Sequence, residues 1–302
     1  MSPRARCATT LAKLISLTAT GRGKNYSPLR GLLESALRVA YPLDWPARAW
    51  GKIPRAARVH RLDHRLLTPE RSPRRPPLRL AFASDLHLGP TTSPRTLDRA
   101  FALLAEADPD VVVLGGDYVF LDATPSRARE LERRVAALPA RSTKIAVLGN
   151  HDLWTHHDLL EAALERAGAR VLINDAIRLP PPHDDIAILG LDDPWTGQPD
   201  GARALAAAGD ACVKLAVSHS PDGFPFVRGL GVRLLLSGHT HGGQVALPGP
   251  RPIIVPGKHG KRWPFGLHQE DDITIFVSRG VGASELPIRA FAPPDIAVFT
   301  VG

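Results

Sequence analysis

Five short apolar runs in this 302-residue chain each end in a polar cluster. Leu78–Ala83 runs into Ser84-Asp85-Leu86-His87, and Val111–Leu114 into Gly115-Gly116-Asp117. Ile145–Leu148 runs into Gly149-Asn150-His151-Asp152, Val213–Val217 into Ser218-His219-Ser220, and Val232–Leu236 into Ser237-Gly238-His239-Thr240-His241. Together they offer Asp85, His87, Asp117, Asn150, His151, His219, His239 and His241. Imidazole mixed with carboxylate suits Mn, Fe or Zn. Eight such groups exceed the four ligands of a closed structural zinc site, and no thiolate is among them. The number fits two divalent ions that share a bridging carboxylate. Asp85 and His87, two residues apart at a strand end, can point the same way and grip one ion. The turn after Val232–Leu236 lets His239 and His241 reach different ions.

Two divalent ions, two aspartates and a hydroxide sum to about +1, a charge that draws in an anionic phosphate. Paired ions also clamp the attacking and leaving oxygens of an in-line displacement, so phosphoester hydrolysis is the natural chemistry. Any one of these histidines alone would more often be structural. Five of the chain's twelve histidines in strand-terminal clusters, with matched carboxylates and an Asn, invert those odds.

The elements that must position them follow from the same pattern. Runs of four to six apolar, often β-branched residues bounded by Gly, Ser or Asp predict buried strands. Helical spacing lies between several of them: from Ser93-Pro94 through Leu97, Phe101 and Leu104, over Ser126–Leu138, and over Asp158–Ala167. Alternating strands and helices imply an α/β fold with largely parallel strands, whose ligands collect beyond the carboxyl ends.

Composition sets outer bounds. Hydrophobic residues make up 44% and charged residues 23%, which excludes disorder over most of the length. No window approaches 18 uninterrupted apolar residues, so a spanning helix is not expected. Cys7 and Cys212 are the only cysteines; they exclude a disulfide framework and favour a reducing compartment. The net charge of +8 is uneven: residues 1–78 hold 16 Lys/Arg against 4 Asp/Glu, and the rest of the chain is net negative. The apolar stretch near Leu11–Leu17 is interrupted by Lys13 and makes a poor signal peptide, so a cytoplasmic protein is expected.

Residues 1–77 read as a basic arm and 78–302 as the catalytic domain. In the arm, Ser27 caps a helix with Pro28 at its first position. Leu29, Leu32, Leu33, Ala36, Leu37 and Ala40 form its apolar stripe, Arg30 and Arg38 lie off it, and Pro42 stops it. Two readings stand: a helix packed on the main domain, or a peripheral anchor on an anionic membrane surface. Residues 69–77 read as an extended Pro/Arg-rich linker.

Asp85-Leu86-His87, Gly116-Asp117, Gly149-Asn150-His151-Asp152, His219 and Gly238-His239-Thr240-His241 resemble, in order, the motif set of the calcineurin-like metallophosphoesterases. Ser84–Gly89, Gly190-Leu191-Asp192-Asp193, Gly238–Gln244 and Val277–Gly280 are similar to a bacterial subgroup that includes UDP-2,3-diacylglucosamine hydrolases and often carries an N-terminal membrane anchor. The resemblance implies two mixed β-sheets packed as a sandwich and flanked by helices. It implies one metal on Asp85, His87, Asp117 and His241, and another on Asp117, Asn150, His219 and His239, with Asp117 bridging. It makes His151 the general acid or donor at the leaving group, with Asp152 a candidate to orient its ring.

Departures narrow the subclass. Tyr118-Val119 is followed by Phe120-Leu121-Asp122, and Asp152 stands where the protein phosphatases carry Glu, which disfavours a protein phosphatase. The catalytic part is acidic and lacks a long DNA-binding extension, so neither a nuclease nor a specific nucleic-acid partner is expected. A non-catalytic scaffold would have lost a ligand. The expected substrate is an anionic phosphoester, with a lipid-linked nucleotide such as UDP-2,3-diacylglucosamine as the sharper reading. A broad soluble phosphodiesterase or phosphomonoesterase is the alternative, and a monomer is expected. Arg279 is a weak candidate to face the phosphate, and the basic loop 248–268 a candidate cover.

Overall fold

The computed structural model describes residues 25–53, 58–249 and 251–302. Cys7 and the apolar stretch near Leu11–Leu17 lie outside the described residues.

Two six-stranded mixed sheets form the body of the protein. In the first, the strands run in the order β1 (His60–Leu66), β14 (Asp295–Val301), β2 (Leu78–Ala83), β3 (Val111–Leu114), β4 (Thr143–Ala146) and β5 (Ala169–Val171). All neighbours are parallel except β14 and β2. In the second, the order is β12 (Gly266–Glu270), β13 (Ile273–Val277), β9 (Val232–Ser237), β8 (Val213–Val217), β7 (Ile186–Gly190) and β6 (Asp175–Arg178). Here the outer pairs are antiparallel and the inner ones parallel.

Alternation along each strand builds the layers, because successive side chains point to opposite faces. Leu78, Leu80 and Phe82 of β2 face the second sheet, where Leu215, Leu234 and Phe276 meet them in one buried cluster. Ala81 and Ala83 point the other way, under the helices Pro94–Glu106, Pro125–Ala136 and His157–Arg166. The second sheet is covered on its outer face by the Gly201–Ala208 helix. This is the helix-flanked sandwich that the resemblance implies. Ser93, Thr124 and Asp200 each cap a helix by accepting a hydrogen bond from a backbone N–H.

The N-terminal helix spans Pro28–Ala40, capped by Ser27 Oγ, which accepts from Arg30 N at 3.1 Å. It packs on the body with its polar face. Gly31 and Glu34 are its buried residues, and Arg38 grips Asp122 with two nitrogens, at 2.7 and 2.8 Å. Leu29, Leu32, Leu33 and Val39 face solvent, with Leu29 76% and Leu32 68% exposed. The apolar stripe therefore does not dock on the domain. Further along the basic segment, His60–Leu66 forms the edge strand β1, parallel to β14. Its alternating charged residues give no sign of a buried strand, yet Leu66 is buried and Leu62 packs against the core.

Candidate metal centre and active site

The strand termini bring the eight candidate residues together. Asp85 and His87 follow β2, Asp117 follows β3, Asn150 and His151 follow β4, His219 follows β8, and His239 and His241 follow β9. Three groups of ligand atoms each lie within 4.8 Å of one another: Asp85, His87 and His241; His87, Asp117 and His151; Asp117, His219 and His239. Each could hold a metal ion. Asp117 lies between the groups, with Oδ2 3.2 Å from His219 Nε2 and 3.7 Å from His87 Nε2. His87 Nε2 and His241 Nε2 converge at 3.1 Å, and His241 Nε2 lies 3.5 Å from Asp85 Oδ1.

The backbone bends sharply to achieve this. Asp85, His87, Asp117, His239 and His241 all have positive φ, between 46° and 70°. That region is costly for residues with a Cβ and persists where surrounding structure imposes it. The imposing contacts are visible. Asp85 N donates to Gly116 O at 2.9 Å, His87 N to Asp117 O at 3.0 Å, and Gly238 N to His219 O at 2.8 Å. Gly149 is needed for space: a Cβ there would come within 2.2 Å of Asp117 Oδ1.

The donor set fits divalent cations. His219 Nδ1 lies 2.8 Å from Gly115 O, an arrangement that puts a proton on Nδ1 and aims Nε2 inward. His239 Nε2 and Asn150 Oδ1 are buried with no hydrogen-bond partner. Orphaned buried polar atoms are uncommon, and a cation would satisfy them. Burial alone would raise the Asp117 carboxyl, but His219 and His151 outweigh it and hold it well below the usual range. Burial would likewise lower His219, but Asp117, Asp85 and Asp193 hold it well above the usual imidazole value. Burial lowers His239 to about 3, and the charge on His219 adds to that.

Asp152 does not orient the His151 ring. Its carboxylate accepts from the backbone N–H of Asp117, Tyr118 and Gly149 at 2.8–3.0 Å, tying two ligand loops together. The group beside the ring is Arg30 of the N-terminal helix, with Nη2 3.4 Å from His151 Nδ1. Arg279 does not line this site. It pairs with Asp295 at 3.1 Å and lies over the Phe265 ring. The loop 248–268 contributes Ile254 and Pro256 to the pocket wall, whereas Arg262 pairs with Glu270. Asp192 and Asp193 serve a turn: their carboxylates accept from the backbone N–H of Gln198 and Thr196.

The pocket over the ligands has a volume of about 300 Å³. Beyond the expected residues, Arg30, Trp154, Trp195, Glu285 and Leu286 line it. Trp195 meets His239 edge-on at 4.9 Å between ring centres, and Trp154 meets His151 at 5.2 Å. No strand-end pattern marks Arg30, Glu285 or Leu286 in the sequence, whereas Trp154 follows the His151 cluster and Trp195 follows the end of β7.

The sandwich and the acid–imidazole groups at its strand ends define a metal-dependent hydrolase. Residues 78–243 match the family model described as calcineurin-like phosphoesterase, and the chain belongs to that family. It is thus a metal-dependent phosphoric ester hydrolase. It is similar to an uncharacterized metallophosphoesterase of Bacillus subtilis, YkuE, being 32% identical over 72% of this chain and 77% of the relative. The phosphodiesterase YaeI of Escherichia coli is 30% identical over 74% of this chain and 81% of its own. The UDP-2,3-diacylglucosamine pyrophosphatase LpxG of Chlamydia muridarum is 25% identical, with 81% and 89% covered.

Proposed function

We propose that this chain is a binuclear phosphoesterase that cleaves the pyrophosphate of a lipid-linked nucleotide, such as UDP-2,3-diacylglucosamine, at an anionic membrane surface. Asp85, His87, Asp117 and His241 would hold one ion, and Asp117, Asn150, His219 and His239 the other. When bound, two divalent ions (Mn, Fe or Zn) supply polarisation of the phosphoryl group and activation of water. Asp117 positions both ligand groups, and its Oδ1 accepts from His151 N at 2.9 Å. His151 stands at the pocket wall to donate a hydrogen bond or proton to the leaving oxygen. Trp154 and Trp195 narrow the mouth against bulk water.

The observation that carries the membrane part is the outward apolar face of the N-terminal helix. Burying one Leu is worth about 1.5–3 kcal/mol, more than the partly exposed Arg38–Asp122 pair returns at about 0–1 kcal/mol. A helix that leaves Leu29, Leu32 and Leu33 in water and turns Arg30 and Arg38 inward therefore fits an apolar surface above it. Leu43 and Trp45, both more than half exposed, extend that face, and the excess of Lys/Arg in this part of the chain suits anionic headgroups. Among the described residues no helix is long and apolar enough to cross a membrane. The substrate reading draws on the similarity to the diacylglucosamine pyrophosphatase.

The test is Mn²⁺-loaded protein with UDP-2,3-diacylglucosamine in mixed micelles. UMP release well above a His151→Ala control is expected. No release, alongside clear turnover of a soluble phosphodiester, would remove the lipid substrate and leave a soluble phosphodiesterase.

A further inference from the structure

We propose that Arg30 is a substrate-contacting residue that binds an anion on the leaving-group side, selecting esters whose leaving group is itself a phosphate. The inference rests on the hydrolase reading above and specifies its substrate class.

Arg30 is held as a binding group would be. Its Nε lies 3.2 Å from Glu34 Oε1, its Nη1 2.7 Å from Glu285 Oε1, and its guanidinium sits over the Trp154 ring at 4.8 Å. Those three supports fix the planar fork and leave Nη2 facing the pocket, beside His151. Arg38, two turns further along, grips Asp122 with Nε and Nη2 and is not among the pocket-lining residues, whereas Arg30 keeps Nη2 off any carboxylate and beside the catalytic-site histidine. Glu34 does not belong to Arg30 alone, because Arg38 and the Tyr26 hydroxyl also bind it, each at 3.0 Å.

The position sets the chemistry. Arg30 Nη2 lies 3.4 Å from His151 Nδ1, so an anion held there would sit on the side of the site where His151 meets the leaving oxygen. A phosphate oxygen accepts charge-assisted hydrogen bonds from a guanidinium, whereas a nitrophenyl or alkyl group offers it nothing. In hydrolysis of a pyrophosphate, water oxygen bonds to one phosphorus and that phosphorus loses its bond to the bridging oxygen. The bridging oxygen departs on the second phosphate, and its added negative charge develops next to Arg30. Arg30 also lies outside the residues 78–243 that match the family, so the basic arm carries a residue of the site.

Calorimetric binding of UDP and of inorganic phosphate to the Mn²⁺-loaded full chain tests this. Arg30→Ala should weaken UDP by about 10–100-fold, the worth of a hydrogen bond to a charged group, and change phosphate by no more than about twofold. Mn²⁺ stoichiometry should not change. Arg30→Lys, which keeps the charge and loses the fork, should fall between, and it decides the matter if the Ala variant fails to fold. Equal weakening of both ligands, no weakening, or failure of UDP to bind the wild-type protein would overturn the proposal. If UDP discrimination holds while neither a pyrophosphate nor a diester is hydrolysed, the substrate reading fails and the Arg30 site stands.

Discussion

The Oδ2 of Asp117 lies 3.2 Å from the Nε2 of His219, across the gap between the two sheets' strand ends. A carboxylate from the first sheet thus meets an imidazole from the second, and neither sheet alone makes the site. Asp117→Ala should lose metal and activity together, because the residue borders both ligand groups. Chelation should abolish turnover of a soluble phosphodiester and Mn²⁺ should restore it in the wild-type protein only. Elemental analysis of the purified variant is the check, and a variant that keeps two ions per chain would remove Asp117 from the bridging position.

Metal loading should release protons. Without metal, burial would lower His219, but the carboxylates of Asp117, Asp85 and Asp193 outweigh it, so the ring holds its proton to higher pH than a free imidazole. A metal ligand must give that proton up. Apparent metal affinity should therefore rise with pH through neutrality and fall as His219 and its neighbours bind protons in acid. Calorimetric titration of Mn²⁺ in buffers of different ionisation enthalpy measures the release. A heat that does not depend on the buffer would contradict the protonated His219.

His151→Ala should keep its metals and lose about 10²–10⁴-fold in turnover, the usual range for a positioned acid–base group. The defect should shrink for a nitrophenolate leaving group, which needs no proton. Loss of metal would instead make His151 a ligand, which its place in one ligand-atom group makes worth measuring.

Much of this site is legible in the sequence, for a local reason. Each proposed ligand follows its strand within a few residues, so apolar runs followed by Asp, Asn and His mark both the strand and its terminus. What escaped reading comes from elsewhere. Arg30 reaches the pocket from a helix whose register suggests the opposite packing: the pattern shows which stripe is apolar, not which stripe faces the protein. Glu285 and Leu286 arrive on a loop with no period to read. β1 was hidden because its sequence, His60-Arg61-Leu62-Asp63-His64-Arg65-Leu66, looks like part of the basic arm. It exists because β14 offers a free edge. Adjacency of Asp152 to His151 in the sequence suggests contact, whereas the turn after β4 points its carboxylate at backbone amides.

Asp152→Ala should accordingly act on stability more than on proton transfer. It would leave the buried N–H groups of Asp117, Tyr118 and Gly149 without their acceptor. Each unsatisfied group costs about 1–3 kcal/mol, so a loss of about 3 kcal/mol or more is expected in denaturant unfolding. Metal affinity should fall with it, since two of those amides flank ligand loops. A stable variant with only an altered pH–rate profile would restore the ring-orienting role.

The last prediction concerns the exposed helix face. Leu29 and Leu32 are 76% and 68% exposed, whereas the polar face of the same helix carries the contacts to the body. Replacing Leu32 with Glu should leave melting temperature and turnover of a soluble phosphodiester unchanged, because the side chain supports nothing beneath it. It should reduce flotation with anionic liposomes, since it removes apolar burial and adds a repelled charge. Each basic residue near such a surface contributes about 1 kcal/mol and is screened by salt, so binding of the wild-type protein should weaken between low and physiological ionic strength. Leu32→Glu should weaken it further at every salt concentration. An apolar face used for self-association would instead give a concentration-dependent dimer in sedimentation that Leu32→Glu dissolves, with no liposome binding to lose. If the wild-type protein neither floats nor dimerises, the face has no partner of either kind, and the membrane reading falls while the hydrolase assignment stands on the strand-end ligands.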